Sequence, residues 1–249
     1  MIEKIQDDIR DDVIFIADMD GTLTPARLPM TEKFAEFLER FIEKRYFYIV
    51  SGSDYQKICE QVPPHLIEGI GVFASMGNEF YSKGRLVYQW DFDPTPDLLQ
   101  RLEDYRKNTE YNGELYPNYI EKRCGMVNFS ILGRDCPHDA RADYKRWDEV
   151  HSERVKIRDE LAKIYPQYDI SVGGNISIDI VMHGSGKEQV ARKIRNAYHN
   201  SKIVFIGDRT MPGGNDYSIA QELRKLGNAE IVQVGGPDDT LDYLKKYSL

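Results

Sequence analysis

Five short runs of apolar residues, rich in β-branched and aromatic side chains, recur along the chain. They are VIFIA at 13–17, YFYIV at 46–50, IGVFA at 70–74, IVFIG at 203–207 and IVQV at 231–234. Runs of this length without alternating polar residues are typical of strands that are buried on both faces. Because helical patterns separate several of them, we predict a parallel sheet with helices on both sides.

The segments between the runs have the spacing of amphipathic helices. Thr31 can cap the first of these helices. Apolar residues then recur at helical spacing, at Phe34, Phe37, Leu38, Phe41 and Ile42. Further helices are predicted from Ser53 or Asp54 and over 187–199. The alternation of strands and helices predicts a doubly wound α/β core.

The middle of the chain has a different pattern. Residues 79–90 are typical of a hairpin that turns at Lys83-Gly84, and 126–132 and 176–181 are predicted strands separated by a long polar helical stretch. We therefore predict a second, α+β domain over 89–184, inserted into the α/β core formed by 1–88 and 185–249. The highly charged stretch 141–158 is interpreted as exposed helix surface.

Charge and cysteine content narrow the class of protein. Lys and Arg number 33 against 41 Asp and Glu, a net charge of −8 without a concentrated basic block, so no nucleic-acid partner is expected. The cysteines, Cys59, Cys124 and Cys136, are odd in number and lack paired spacing, which predicts free thiols. Residues 1–12 are too charged for a signal peptide, and no apolar stretch approaches the ~18–20 residues that span a bilayer. A cytoplasmic protein without a membrane partner is expected.

The sequence DMDGT at 18–22 directly follows the first predicted strand. Ligands of an open parallel sheet bind beyond the carboxyl ends of its strands. Asp18 and Asp20, on a turn that Gly21 permits, can therefore face one site and bind a hard cation such as Mg²⁺. Asp18 could then attack phosphorus while Asp20 gives and takes the proton of the leaving or entering hydroxyl. The alternative is an Asp-rich turn that only caps the next element.

A second acidic motif surrounds Asp208, which follows the run IVFIG. Its position at another strand end predicts that Asp208 is a further ligand of the same metal. Asn215 and Asp216 are predicted to orient Asp208 or Lys187 without binding the metal themselves. Alternatively, Asn215 caps the last core helix.

Two polar residues occupy further element ends. Ser51, in a Ser-Gly-Ser sequence after the second run, can hydrogen-bond a transferring phosphoryl group, although this tripeptide is also common in turns. Lys187, near a predicted helix start, can neutralise phosphoryl oxygens, whereas a single lysine is otherwise typical of surface. Because Asp18, Asp20, Ser51, Lys187 and Asp208 come in order at successive element ends, we predict that they form one phosphoryl-transfer site.

These motifs, in this order and spacing, resemble those of haloacid dehalogenase-like phosphotransferases, and among them the eukaryotic-type phosphomannomutases. The matching segments are DMDGTLTPAR at 18–27, GMVNFS at 125–130, GR at 133–134, GNISID at 174–179 and GDRTMPGGND at 207–216. The last segment is much more specific than DMDGT, which many phosphatases share. The resemblance spans nearly the whole chain and implies a Rossmann-like core with nucleophile and metal, and a C2-type cap that closes over a hexose phosphate.

The resemblance implies a role for each matching residue. Asp18 is the phosphorylated nucleophile, Asp20 the acid/base that also offers its backbone carbonyl to Mg²⁺, and Asp208 a metal ligand. The phosphate-binding arginines are Arg27, Arg123, Arg134 and Arg141, and the contacts to sugar hydroxyls are Ser177 and Asp179. Guanidinium groups suit the non-reacting phosphate because they bind it in a bidentate, directional way. Without the resemblance, each of these arginines is more typical of surface.

The sequence departs from the family pattern at three places. After Asp216 it continues YSIAQEL and lacks the Asp and Thr of the family's additional cation site, so a second ion is not assigned. His183-Gly-Ser-Gly precedes Lys187 in place of the family's Gly-Trp-Asp step, and SMGNE at 75–79 replaces its Glu-Asn-Gly. We interpret His183 as a local hinge contact and expect the last two changes to affect closure or substrate preference.

The predicted function is a mutase. Asp18 would receive phosphate from a hexose 1,6-bisphosphate activator and pass it to mannose 6-phosphate or mannose 1-phosphate, which then reorients. One open alternative is a Mg²⁺-dependent sugar-phosphate phosphatase in which water attacks phospho-Asp18. Another is a non-enzymatic phospho-acceptor, although receiver modules are much shorter and have no Arg-bearing cap. The resemblance also implies a possible homodimer through the cap, and it does not separate mannose from glucose phosphates.

Overall fold

The computed structural model describes residues 13–247. The charged segment 1–12, on which the expectation of no signal peptide rests, and residues 248–249 lie outside the described residues. Contacts divide the chain into two compact units. The core unit contains the described residues up to Trp90 and from Ser185 onward, and the inserted unit is Asp91–Gly184.

The strands form one sheet in each unit. In chain order they are β1 (Val13–Asp18), β2 (Tyr46–Val50), β3 (Gly71–Ala74), β4 (Glu79–Ser82), β5 (Arg85–Gln89), β6 (Ile120–Arg123), β7 (Met126–Phe129), β8 (Tyr168–Gly173), β9 (Ser177–Met182), β10 (Lys202–Gly207) and β11 (Ala229–Gln233). The core sheet has the order β11-β10-β1-β2-β3-β4-β5. Its strands are parallel from β11 to β3, and the β4–β5 hairpin adds two antiparallel strands at one edge. The core sheet is therefore mixed, because the predicted hairpin extends the predicted parallel strands.

Helices cover both faces of the core sheet. In chain order the α-helices of the core unit are α1 (Glu32–Ile42), α2 (Tyr55–Gln61), α3 (Pro64–Gly69), α7 (Glu188–Ala197), α8 (Tyr217–Leu226) and α9 (Pro237–Leu244). Those of the inserted unit are α4 (Pro96–Lys107), α5 (His138–His151) and α6 (Glu153–Ile164). On one face, Phe15 packs in a buried cluster with residues of α1, α2, α3 and α9. On the other, Ile14 packs with residues of α7 and α8. Adjacent side chains of a strand point to opposite faces, so this packing confirms the predicted doubly wound α/β core.

Capping residues set the predicted helix starts. Thr31 has an extended backbone and its hydroxyl accepts a hydrogen bond from the Phe34 N–H at 3.4 Å, so α1 begins at Glu32. The Asp54 carboxylate accepts a hydrogen bond from the Lys57 N–H at 2.9 Å and caps α2 in the same way. These bonds satisfy backbone donors that have no partner within the helix.

The inserted unit has an α+β architecture. Its antiparallel sheet has the order β6-β7-β9-β8 and packs with α4, α5 and α6 around a buried cluster of its own. β7 and β9 lie in the predicted strand segments, whereas β6 and β8 were not predicted. Most residues of these two strands are only half-buried, so their sequences, IEKR and YDISVG, contain no apolar run.

Two sequence predictions concern membrane-spanning helices and the state of the cysteines. Among the helices of residues 13–247, none combines the length and the apolar content that crossing a membrane requires. The cysteines are free thiols, which confirms the prediction from their number and spacing.

Candidate active site

The carboxyl ends of three parallel strands bring predicted site residues of the core unit to one edge of the sheet. Asp18 ends β1 and is in register with Val50, which ends β2 and precedes Ser51. Asp208 follows β10, which pairs with β1 on its other side. Strand register therefore places Asp18, Ser51 and Asp208 at neighbouring positions.

Lys187 forms two buried ion pairs at this edge. It occupies the amino-terminal capping position of α7, and its Nζ lies 2.5 Å from Asp18 Oδ1 and 2.7 Å from Asp216 Oδ1. The three side chains are at most 4% exposed. Because the three side chains are buried, water does not compete for this contact. Lys187 therefore orients the Asp18 carboxylate.

The charges of these groups are unbalanced. Burial raises the pKa of Asp18 to about 7, although Lys187 opposes the rise, and the nearby carboxylates of Asp216 and Asp208 add to it. Burial also raises the pKa of Asp208, again with a contribution from Asp216. Burial alone would lower the pKa of Lys187, but the two paired carboxylates more than offset this and raise it. The Lys187 ammonium therefore stays charged. Its single positive charge does not balance the negative charge of the carboxylates around it.

The same carboxylates have the donor set of a divalent-cation site. Oxygens of Asp18, Asp208 and Asp216 lie within 4.8 Å of one another. Within the described part of the chain, Asp18 Oδ2, Thr22 Oγ1 and Asp208 Oδ1 are buried and have no hydrogen-bond partner. Buried polar atoms normally have a partner, and hard cations bind oxygen ligands of this kind. These residues therefore fit Mg²⁺, with Asp18 and Asp208 the carboxylates that have an oxygen to offer.

Gly21 makes room for this group of carboxylates. Its φ is +81°, and a Cβ at this position would lie 2.8 Å from Asp208 Oδ2. A larger residue would be strained at this φ and would displace the carboxylate. The glycine of the DMDGT sequence is therefore required by the close approach of Asp208 as well as by the turn.

Asp20 is held by its own loop. Its Oδ1 accepts a hydrogen bond from the Arg27 backbone N–H at 2.7 Å. Arg27 has a left-handed φ of 62°, and its residue is exposed. The group of carboxylates within 4.8 Å of one another does not include Asp20, which was predicted to bind the metal through its backbone carbonyl.

Ser51 is buried at the end of β2. Its hydroxyl accepts a hydrogen bond from the Ser53 N–H at 3.0 Å, and its carbonyl accepts one from the Met76 N–H at 2.8 Å. Ser75, Met76 and Gly77 have φ values of 48°, 61° and 90°. The segment in which the sequence departs from the family pattern therefore supports the backbone of Ser51 directly.

Asn215 and Asp216 have different environments. Asp216 is fully buried, binds Lys187 and accepts a hydrogen bond from the Arg209 N–H at 3.3 Å. Asn215 is exposed. The alternative in which Asn215 caps the last core helix is wrong, because Asp216 is in the capping position of the helix that follows it, α8, and the core unit continues with α9. Of the two residues, Asp216 is the one that orients Lys187.

The inserted unit gathers its own predicted residues around Arg134. Arg134 Nη1 donates hydrogen bonds to Ser177 Oγ at 3.4 Å and to Asn128 Oδ1 at 3.0 Å. Asn128 Nδ2 in turn donates to Asp179 Oδ1 at 2.5 Å. Arg141 Nη2 donates to the Arg134 carbonyl at 2.5 Å. Asn128 thus links Arg134 to Asp179. It lies in the GMVNFS segment, but no role was predicted for it.

Glu121 is the counter-ion of this arginine group. Its Oε2 lies 2.5 Å from Arg123 Nη2 and 3.1 Å from Arg134 Nε. Burial lowers the pKa of Arg134, and Arg123 contributes to the fall. Burial raises the pKa of Asp179, although the hydrogen bond from Asn128 and the two arginines oppose the rise. Sequence reasoning missed Glu121 because one acidic residue in a charged strand has no distinctive pattern.

A buried ion pair fixes the turn between β8 and β9. Arg154 Nε lies 2.8 Å from Asp148 Oδ2, and Arg154 Nη1 donates to the carbonyls of Gly173 at 3.3 Å and Gly174 at 3.2 Å. Arg154 is 6% exposed and Asp148 is 5% exposed. The interpretation of the charged stretch 141–158 as exposed surface is therefore wrong for this pair, because a run of charges does not reveal which of them meet partners inside.

His183 makes a local contact at the end of the inserted unit. Its Nδ1 lies 2.7 Å from Asp169 Oδ1, and the Gly184 N–H donates to Asp169 Oδ2 at 2.9 Å. The Asp169 carboxylate thus ties His183 and Gly184 to the start of β8.

Sequence comparison places the chain near one family. A model of the family described as eukaryotic phosphomannomutase matches residues 34–248. The phosphomannomutase of Galdieria sulphuraria is 34% identical over 246 residues, which cover 93% of this chain and 93% of that protein. The phosphomannomutase of Saccharomyces cerevisiae is 31% identical over 247 residues, which cover 94% and 93%.

Solved structures show the same fold at much lower identity. A haloacid dehalogenase-like hydrolase from Bacteroides thetaiotaomicron has a TM-score of 0.64 and 12% identity, with 96% of this chain and 100% of that chain covered. A trehalose-6-phosphate phosphatase from Aspergillus fumigatus has a TM-score of 0.58 and 14% identity, with 95% and 92% covered. These likenesses confirm the predicted haloacid dehalogenase-like fold.

Proposed function

This chain belongs to the eukaryotic phosphomannomutase family, and from that membership we propose that it interconverts mannose 6-phosphate and mannose 1-phosphate through a phosphorylated Asp18. The observation that carries the proposal is the state of the Asp18 carboxylate. Lys187 holds Oδ1 at 2.5 Å, whereas the buried Oδ2 has no hydrogen-bond partner among the described residues. A carboxylate that is oriented on one oxygen and unengaged on the other is suited to nucleophilic attack.

The proposed reaction has two half-reactions that are the reverse of each other. In the first, an Asp18 oxygen bonds to phosphorus of a hexose 1,6-bisphosphate, the bond from that phosphorus to the sugar oxygen breaks, and Asp20 gives the sugar oxygen a proton. In the second, Asp20 takes the proton of a sugar monophosphate hydroxyl, whose oxygen attacks phospho-Asp18 and releases the carboxylate. The bisphosphate is regenerated and acts as an activator.

Several residues prepare the core unit for this chemistry. Lys187 neutralises part of the charge around Asp18, and Asp216 holds Lys187 in place. The Ser51 hydroxyl, buried at the end of the neighbouring strand, is offered to the transferring phosphoryl group. Stabilisation by fixed charges and dipoles is the main requirement of phosphoryl transfer.

We further infer that the core unit takes Mg²⁺. Asp18, Asp208 and the backbone carbonyl of Asp20 would hold it. When bound, the ion neutralises negative charge on the carboxylates and on the phosphoryl oxygens. The support for this inference is the group of three carboxylates with oxygens within 4.8 Å of one another, in which Asp208 Oδ1 is buried without a hydrogen-bond partner among the described residues.

The inserted unit has the chemistry to bind the phosphate that is not transferred. Its guanidinium donors are Arg123, Arg134 and Arg141. Arg27 of the core unit matches a phosphate-binding arginine of the family and is proposed to bind phosphate as well. Guanidinium groups bind phosphate in a bidentate way, which fixes the direction of the sugar as well as its affinity. Ser177 and Asp179 would bind sugar hydroxyls, and Arg134 contacts Ser177 directly.

Mapping the phosphorylated residue tests this proposal. The protein is mixed with Mg²⁺ and a hexose 1,6-bisphosphate, quenched in acid within milliseconds to seconds, and its peptides are analysed by mass spectrometry. We expect the phosphoryl group on Asp18 and none on the peptide of Asp18→Asn, which keeps the shape of the side chain but not its nucleophile. A phosphoryl group on another residue, or mutase turnover by Asp18→Asn, would contradict the proposal.

A further inference from the structure

Gln61, the last residue of α2, lies against the carboxyl group of Asp20. In the amide orientation that suits its neighbours, its side-chain nitrogen is 3.2 Å from Asp20 Oδ1, 3.2 Å from the Leu28 carbonyl oxygen and 3.0 Å from Thr24 Oγ1. The NH₂ group has two protons for these three acceptors, and the charged Asp20 carboxylate is the strongest of them. A carboxylate and a carbonyl can only accept hydrogen bonds, so the orientation that satisfies them turns the NH₂ group toward these atoms. The Asp20 carboxylate therefore accepts a hydrogen bond from an element outside its own loop.

The same side chain closes the loop that carries Asp20. Thr24, which accepts from Gln61, can donate its own hydroxyl proton to the Met19 carbonyl at 3.3 Å. The backbone carbonyl of Gln61 accepts a hydrogen bond from the Met30 N–H at 2.8 Å. Gln61 thus binds residues near the beginning, the middle and the end of the loop 19–30.

Two donors then converge on one oxygen of Asp20. The Arg27 N–H reaches Oδ1 at 2.7 Å from within the loop, and the Gln61 amide reaches it at 3.2 Å from α2. The helix itself is anchored, because Asp54 caps its first turn and Ile58 is fully buried. A carboxylate bound in this way has few rotamers left, so its second oxygen keeps one direction.

We propose that Gln61 is a positioning residue for proton transfer, which fixes the Asp20 carboxyl in the direction of the sugar oxygen. The proposal rests on the mutase function proposed above, in which Asp20 protonates and deprotonates that oxygen. General acid–base catalysis contributes about 10²–10⁴-fold in rate, and part of this gain depends on geometry within an ångström. Gln61 makes this contribution through Asp20 and needs no contact with substrate.

A double-mutant cycle tests whether Gln61 acts through Asp20. Gln61→Met has nearly the same length and a good helix-forming side chain, but it donates no hydrogen bond. We expect single-turnover transfer from a hexose 1,6-bisphosphate to Asp18 to slow by roughly 10–100-fold in this variant, with KM changed less than about twofold. In Asp20→Asn, which already lacks the acid, adding Gln61→Met should slow the reaction by less than about twofold.

The leaving group provides a second readout. p-Nitrophenolate leaves as a stable anion and needs no proton, whereas a sugar alkoxide does. In a single turnover with the protein in excess, Gln61→Met should therefore release p-nitrophenolate from p-nitrophenyl phosphate as fast as the unaltered protein does, because this step forms phospho-Asp18 and ends before Asp20 acts as a base. Gln56→Met, the same substitution at an exposed position of α2, serves as the matched control and should leave both reactions unchanged.

Three results would overturn the proposal. One is an unchanged rate with the bisphosphate in Gln61→Met, and another is an equal loss with both leaving groups, which would make Gln61 a structural residue of the loop. The third is a Gln61→Met effect that persists in full on the Asp20→Asn background. Failure of the mutase function itself is distinguishable, because the unaltered protein would then form no mannose 6-phosphate from mannose 1-phosphate and the bisphosphate.

Discussion

Loss of Lys187 would leave both Asp18 and Asp216 without their buried ammonium partner. Breaking a buried ion pair by removing one partner costs about 3–5 kcal/mol, because the other charge remains buried. We predict that Lys187→Met lowers the free energy of unfolding of the metal-free protein by roughly this amount. Urea titration followed by circular dichroism measures the change.

A second substitution separates charge from packing at this position. In Lys187→Met/Asp216→Asn one of the two stranded carboxylates is gone, so part of the lost stability should return. If the double variant is as unstable as Lys187→Met, the loss has another cause than unpaired charge.

Asp208 is the residue on which the metal prediction can be tested most simply. Burial and the neighbouring Asp216 raise its pKa, so its charged form is unfavourable without a cation. We predict that Mg²⁺ raises the melting temperature of the unaltered protein, and that Asp208→Asn largely loses this shift. Calorimetry with Mg²⁺ or with a chelator measures it.

An exposed acidic residue provides the control for the metal prediction. Asp159→Asn removes one carboxylate from the surface of α6, far along the chain from the strand ends, and should keep the full shift. Equal Mg²⁺ shifts in Asp208→Asn and Asp159→Asn would contradict the assignment of Asp208 as a ligand.

For single residues, the sequence predicts the place of a residue in the fold better than the direction in which its side chain points. Asp18 and Asp208 could be expected at one edge because parallel strands place their carboxyl ends together. Asn215 and Asp216 are neighbours in the chain, yet one is exposed and the other fully buried, and no spacing rule separates them. Gln61 lies at a helix end without a motif, so only the folded loop reveals its contact with Asp20.

At the scale of elements, α7 contains a cation that is unfavourably buried. Lys193 Nζ contacts the Tyr88 hydroxyl at 2.6 Å, Gln189 Oε1 at 2.7 Å and the Gly77 carbonyl at 3.1 Å. Burial, with a contribution from Arg192, lowers the pKa of Lys193 from 10.5 to about 8. The folded protein therefore releases this proton at lower pH than the unfolded chain does.

This difference in proton binding predicts a pH dependence with a definite sign. Between pH 8 and about 10.5 the unfolded chain binds the Lys193 proton and the folded protein does not, so this group makes folding more favourable as pH rises. We predict that the stability of the unaltered protein relative to Lys193→Met increases across this window and is constant below it. Urea titrations of both proteins at several pH values measure the difference.

The same pH series contains the result that would contradict the prediction. A constant stability difference from pH 7 to pH 11 would mean that Lys193 titrates alike in both states. Burial, not Lys193, raises the pKa of Tyr88, so the titration of Tyr88 contributes equally to both proteins and cancels in their difference.

The burial of an element decides whether its sequence has a recognisable pattern. The parallel strands of the core sheet are buried on both faces and read as apolar runs, and α1 has one apolar side, so both kinds of pattern were visible. β6 and β8 are half-buried, and their polar residues hide the alternation. Short turns join β6 to β7 and β8 to β9, whereas the β7–β9 pairing that unites the two hairpins in one sheet joins segments distant in sequence.

At the scale of the whole molecule, the inserted unit has the parts of an independent domain. It is one continuous segment with a four-stranded sheet and a buried cluster that includes Leu102, Phe129, Tyr144 and Leu161. We predict that residues 91–184 alone unfold cooperatively in urea, with an m-value of about 1 kcal/mol/M or more. Leu161→Asp in the same fragment, which buries an unpaired charge, should abolish the transition. A fragment without a cooperative transition would show that its cluster is too small to fold alone.

We infer that the whole molecule moves a phosphoryl group between two positions of a sugar rather than to water. Phosphorus NMR of the protein with Mg²⁺, mannose 1-phosphate and a trace of glucose 1,6-bisphosphate follows both outcomes in one sample. We predict that mannose 6-phosphate forms, that its formation requires the bisphosphate, and that Asp18→Asn forms none. Growth of inorganic phosphate without mannose 6-phosphate would contradict the claim and make the protein a sugar-phosphate phosphatase.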